Sequence, residues 1–158
     1  MVRSVLVPLD GSPFAEHALP TATVIAKACR AKLQLVKVHE PPPPPVAADE
    51  AGLFLEADLQ VRRDERAYLR QQASRIRAQA GLRITTEVLD DPIAAAIVQY
   101  AQRTGTDLIV MTTHAKGGMS EWLLGSVANR LVREVSVPIL LLRPNDKLVA
   151  AASGQQTR

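Results

Sequence analysis

The chain holds a single cysteine, Cys29, and almost no aromatic side chains, which make up 3% of its 158 residues. One cysteine excludes a disulfide framework and a thiolate-rich metal site, leaving a buried structural role as its default. So few aromatics exclude the base-stacking platform that single-stranded nucleic acids require. No strong charge of one sign is present: 19 Lys and Arg face 16 Asp and Glu, and the excess is spread over the chain. That distribution fits a solvated surface and argues against a nucleic-acid partner. Long apolar runs are also missing. The opening MVRSVLVPLDG breaks at Pro8 and Asp10, too short for a signal peptide or a membrane span, so a cytoplasmic location and no membrane partner are expected. Among enzyme signatures, the chain has no G-x-x-x-x-G-K-S/T, G-x-S-x-G, H-E-x-x-H or C-x-x-C. Without these motifs no residue is assigned a catalytic role.

What is present is aliphatic. Hydrophobic residues make up 47%, mostly Val, Leu, Ile and Ala, the filling of a parallel sheet covered by helices. The length allows one domain with one such core. Apolar runs and helical stretches alternate from end to end, the pattern of repeated βαβ units. Strands are expected near Ser4 to Leu9, Lys32 to Val38, Leu82 to Leu89, Leu108 to Met111 and Pro138 to Leu142. The first, fourth and fifth are continuously apolar and suit burial on both faces. The second and third alternate, which suits strands nearer an edge. Right-handed crossovers then give an open, doubly wound α/β fold: a five-stranded parallel sheet of order 3-2-1-4-5 with helices on both faces.

The first helix should open with Ser12 as N-cap and Pro13 in its first turn, bury Ala18, Ala22, Ile25 and Cys29, and kink at Pro20. A second, from about Ala57 to Ala80, carries a stripe of Leu69, Ala73, Ile76 and Ala80. Its Arg62, Arg66, Arg70 and Arg77 should point outward, as a solvated face. Asp91-Pro92 starts a third that ends at Thr104-Gly105, and a fourth runs from about Ser126 to Val135 with Val127, Leu131 and Val135 inward. Outside this plan lie a proline-rich insertion at about 40–56, with five prolines from Pro41 to Pro45, and a tail. The prolines read as a stiff exit from the second strand in preference to a partner motif. Residues 145–158 have too little apolar content to pack and are expected to be disordered, leaving the domain at 1–144.

In open parallel sheets ligands bind beyond the carboxyl ends of the strands, where strand order reverses. Here that is the crevice between strands one and four. Asp10 ends the first strand. The fourth runs into TTHAKGGMSEWLLGSV, residues 112–127, small and glycine-rich up to Gly125-Ser126 at a helix start. Unpartnered N–H groups at such a start form an anion site, and phosphate is the evident guest. Each residue also has a structural role open to it. Asp10 can brace the Gly11-Ser12 turn, and Ser126 can cap the helix. Lys116 can face phosphate or solvent, and Trp122 can pack the loop. His114 has no second histidine or acid at ligand spacing, so neither a metal nor a general-base role is expected of it.

The segments VLVPLDGSPFAEHALP, DPIAAAIVQYA, TDLIVMTTHAKGG and WLLGSVANRLVREVSVPILLLRP resemble the universal stress protein family, from about Val2 to Pro144 and least between Glu40 and Leu59. The resemblance implies an adenine nucleotide, ATP with or without Mg²⁺, with AMP or no nucleotide as alternatives. Asp10, beside Pro8, would hold the adenosine and Val38 the adenine edge. A G-x2-G-x9-G-S/T motif would bind ribose and phosphates. Gly125 and Ser126 match its end, followed by Val127, while its first two glycines fall on Thr112 and Ala115. A Cβ at a left-handed position costs roughly 1–2 kcal/mol. Assigned wholly to binding, that weakens affinity about five- to thirtyfold, unless Gly117 and Gly118 restore the close approach. The resemblance also implies a homodimer through the edge strand Pro138 to Leu142. The alternatives are a dimeric scaffold that binds no nucleotide and a slow ATPase.

Overall fold

The alternation read from the sequence is that of the computed structural model, which describes residues 1–43, 51–90, 92–113 and 125–143. Strand β1 (Ser4–Pro8) passes through a short helix α1 (Pro13–Glu16) into α2 (Ala18–Cys29) and β2 (Lys32–Val38). Then come α3 (Ala51–Ala80), β3 (Ile84–Leu89), α4 (Ile93–Thr104), β4 (Leu108–Thr112), α5 (Ser126–Glu134) and β5 (Ile139–Leu142). Every strand pair is parallel, and the order is β3-β2-β1-β4-β5, as expected. Two cores fill the two faces. Val5, Val7, Leu33 and Leu35 pack with α2 and α3, whereas Leu6, Val36, Ile109 and Met111 pack with α4 and α5. This is the alternation of side chains that burial on both faces demands. No helix among the described residues is long and apolar enough to cross a membrane.

Local chemistry explains most boundaries. Ser12 accepts the Ala15 N–H at 3.1 Å with Pro13 behind it, the expected cap. The kink expected at Pro20 is instead a break at His17, between α1 and α2. Pro20 lacks the N–H that would bond the Glu16 carbonyl, so the helix restarts with Pro20 in its first turn, where that donor has no intrahelical partner. Gly105, at φ 61°, ends α4 in the left-handed conformation that glycine adopts without strain. Cys29 is half-buried against the core, less enclosed than expected.

Two readings of alternation need correction. Strand β2 is buried along most of its length between β1 and β3, because its polar Gln34 lies inside. The Gln34 amide oxygen accepts from Ser4 and from Thr106 Oγ1 at 3.2 Å, while its nitrogen faces Tyr100 Oη at 3.4 Å. In this strand the polar period marks a satisfied internal cluster. Helix α3 begins at Ala51, six residues before the expected start, and exposes Leu53, Leu55 and Leu59. Its Arg62 is drawn inward, bonding Asp58 at 2.9 Å and Asp90 at 2.6 Å. Pro44, Pro45 and the tail from 145 lie outside the described residues, and Pro41 to Pro43 carry no regular structure.

Candidate functional site

The expected crevice opens because β1 and β4 part early. Their register covers only Val5↔Leu108 and Leu6↔Ile109, whereas β1 and β2 pair through Pro8↔Val36. The Leu9 N–H bonds the Val36 carbonyl, so odd positions of β1 face β2 and even positions face β4. The next rung toward β4 would need the N–H of Pro8, which proline lacks. Beyond that point lies a cavity of about 210 Å³, whose lining includes Pro8, Val38, Ile97, Met111, Thr112 and Val127. Its floor is apolar, with Asp10, Lys37 and Glu40 also among the lining residues.

Of the expected site residues, Pro8, Asp10, Val38, Thr112 and Val127 converge on this cavity. Asp10 is exposed, and its Oδ1 accepts the Ser12 N–H at 2.8 Å; its second oxygen has no protein partner among the described residues. The turn it braces passes through Gly11 at φ 93°, a conformation that disfavours any side chain. The bracing role is therefore met by one oxygen, leaving the other available. Thr112 is buried and donates from Oγ1 to the Phe14 carbonyl at 3.1 Å, tying β4 to α1. The Thr113 N–H bonds Leu142 O on β5, so by alternation the backbone of Thr112 faces the β1 side. Ser126 is not the N-cap expected of it. Gly125 occupies that position and Ser126 the first helical one, with no side chain among the described residues capping the turn. The N–H groups of Ser126, Val127 and Ala128 precede the first α5 bond, from the Asn129 N–H to Gly125 O. At Gly125 φ is −54° and a Cβ would meet none of the described residues within 4 Å, so among these neither backbone nor crowding calls for glycine there. Ala115, His114, Lys116, Gly117, Gly118 and Trp122 lie outside the described residues.

Sequence reasoning missed a charge cluster behind the crevice. His39, which follows β2, is buried with Nδ1 2.8 Å from Glu65 Oε2 and Nε2 2.8 Å from Asp58 Oδ1. Lys37 Nζ donates to the Asp10 carbonyl at 3.0 Å and lies 3.6 Å from Glu65 Oε1. The hydrogen bond from Arg62, and then that from His39, hold the Asp58 carboxyl below its usual value. The chain Asp10–Lys37–Glu65–His39–Asp58–Arg62–Asp90 thus binds the carboxyl ends of three strands to α3. A signal existed in the alternation of Lys37 and His39 beyond an apolar strand. Their partners, however, lie 19 to 28 residues away from them along the chain.

These features define an open α/β protein with a ligand-type crevice at its topological switch point. The model of the universal stress protein family matches residues 1–143. A universal stress protein of Thermus aquaticus is 35% identical over 150 residues, covering 90% of this chain and all of that one. A solved member from Burkholderia pseudomallei superposes with a TM-score of 0.69 at 28% identity, over 89% of this chain and 96% of that one. The chain belongs to the universal stress protein family. A universal stress protein solved in complex with cAMP (TM-score 0.65, 24% identity, 90% and 97% coverage) and an Arabidopsis thaliana member with AMP bound (0.64, 13%, 92% and 94%) share the fold. Members of the family therefore bind AMP or cAMP.

Proposed function

We propose that this chain binds an adenine nucleotide, ATP foremost, in the crevice between β1 and β4, and serves as a dimeric module of the stress response. The observation that carries the reading is one cavity lined by apolar side chains, by Asp10 with an oxygen that has no partner among the described residues, and by Val127 in the first turn of α5, although Gly125 and Ser126 do not line it. The donor set suits the guest. Val38 and Ile97 would take the flat base, Asp10 a ribose hydroxyl, and the N–H groups of Ser126 and Val127 a phosphate. The backbone of Thr112 and Ala115 would complete the ribose and phosphate contacts. Among the described residues no group of three or more His, Cys, Asp or Glu side chains is arranged to hold a metal ion, and Mg²⁺ would enter on the nucleotide's own phosphates. Hydrolysis, lacking a residue assigned as base, would be slow and incidental. The dimer would form through the free edge of β5, whose four residues are all apolar and half-buried.

Calorimetric titration with ATP, AMP and cAMP, together with mass spectrometry of small molecules released on denaturation, tests the reading. Gly125→Ala is expected to leave the melting temperature unchanged, since a Cβ there meets no described atom within 4 Å, and to weaken ATP about fivefold or more, roughly 1 kcal/mol, because the methyl would stand beside the N–H groups proposed to take a phosphate. Absence of released nucleotide and of heat at millimolar ATP would sink the proposal. It would favour a scaffold that binds no nucleotide, a reading supported by the side chain of Thr112 already committed to Phe14.

A further inference from the structure

A groove of about 360 Å³ runs along the outer edge of the sheet, lined by Arg66, Leu69 and Arg70 of α3 and by Thr86, Glu87 and Val88 of β3. Between residues 66 and 86 the chain carries Arg66, Arg70, Arg75, Arg77 and Arg83 and not one Asp or Glu. All five are exposed. Among the described residues their one ion pair is a loose contact of Arg75 with Glu16, at 3.9 Å. This half of α3 is thus more than the evenly solvated face its arginines suggest in the sequence.

The backbone beside these arginines is open. The Leu33 N–H bonds Arg83 O and the His39 N–H bonds Leu89 O, so odd positions of β3 face β2. The N–H and C=O groups of Ile84, Thr86 and Val88 therefore face outward. Arg77 caps the Ile84 carbonyl at 2.5 Å, whereas Thr86 and Val88 have no partner on that side among the described residues. Leu69 is buried beneath and Val88 half-buried, giving the groove an apolar floor.

From this we infer that the β3 edge is a docking strip for an extended acidic peptide segment of another protein. The segment adds as a further strand on Thr86 and Val88 and sets carboxylates two residues apart against Arg66 and Arg70. The spacing fits: residues four apart on a helix rise about 6 Å, and residues two apart on a strand about 6.8 Å. The other face of the added strand meets Glu87, which is paired with Arg103 at 2.8 Å, so side chains there must be uncharged. An alternating pattern of acid and neutral residues is the form recognised. A nucleic acid would find neither aromatic side chains in this groove nor a use for the strand edge. The inference is independent of nucleotide binding.

The test uses the full chain and a fluorescein-labelled peptide of sequence Glu-Thr-Glu-Thr-Glu-Thr, followed by anisotropy and by amide NMR shifts. Binding that moves the Thr86 and Val88 amides is expected. Arg66→Glu with Arg70→Glu, at exposed positions, should lower affinity at least about tenfold with the melting temperature kept. The same peptide N-methylated at every backbone nitrogen keeps the charge and loses the donors, and it should bind at least about tenfold more weakly. Four results overturn the inference: no binding at millimolar peptide, equal binding of the methylated or a block-charged Glu-Glu-Glu-Thr-Thr-Thr peptide, indifference to the arginine reversals, or a single-stranded oligonucleotide of equal charge binding the groove as well.

Discussion

The two edges of this sheet face the same physical problem with opposite chemistry. At one end β5 is Ile139–Leu142, ILLL, apolar on both faces; at the other β3 reads ITTEVL beside a helix face of arginines. Each presents backbone donors and acceptors that no strand among the described residues takes up. An unmarked apolar edge accepts a copy of itself, since two identical apolar strands related by a two-fold axis bury each other's side chains. An edge ringed by one sign of charge repels its own copy and selects the opposite sign. A vacant edge alone therefore does not define a partner; the side chains beside it do.

The sharpest way to break this comparison is at β5. The Thr113 N–H bonds Leu142 O and the Ile109 N–H bonds Pro138 O, so even positions of β5 face β4 and the N–H of Leu141 faces outward. Leu141→Pro removes that donor without touching the ladder to β4. The proposed dimer is then expected to weaken by about 100-fold or more, roughly 2.7 kcal/mol, read by light scattering across a dilution series. A dimer of unchanged strength would show that the β5 edge is not its interface. A second effect, of similar size, concerns the β3 side. His39→Leu leaves Glu65 and Asp58 without the ring between them, and a loss of roughly 3 kcal/mol is expected in urea unfolding. Dimerisation should be unaffected.

The smallest effect is one of pH. Asp58 is held below its usual carboxylate value of 3.8 by Arg62 and then His39. The stability this supplies is in full force above that value and is lost as pH falls through the lower, folded one. Below about pH 4, hydrogen exchange on the α3 side should therefore quicken before that of β5, and Asp58→Asn should flatten the difference. Asp107 is depressed in the same sense by the backbone N–H groups of Arg3 and Ser4, at the other end of the sheet, so the Asn variant is the needed control. Identical acid profiles for the variant and the native chain would remove Asp58 from the account.

Strand order was legible because Val5, Leu6 and Val7, like Ile109 and Val110, are apolar at consecutive positions, which only burial on both faces explains. The meeting of Asp10 and Thr112 at one crevice followed from that order, while Pro8, Val38 and Val127 were placed there by the family resemblance. Features set by contacts distant in sequence were not legible. Gln34 mimicked an exposed position because its partners Ser4, Tyr100 and Thr106 come from other elements. His39 gave no sign of Glu65 and Asp58, nor Arg62 of Asp90, for the same reason. The misplacement of Ser126 by one position has another cause: with neither Gly125 nor Ser126 making a side-chain cap, nothing local fixes which of them begins the helix.

Pro8 carries a consequence beyond its place in the crevice wall. Most gaps in proteins are a balance of forces, and heat, solvent or a neighbouring mutation can close them. Here the rung that would seal β1 to β4 is missing a hydrogen atom, and no rearrangement of neighbours can supply one. The position of the opening is fixed by covalent structure before the chain folds. Whatever side chains line the opening, they inherit its location and do not set it.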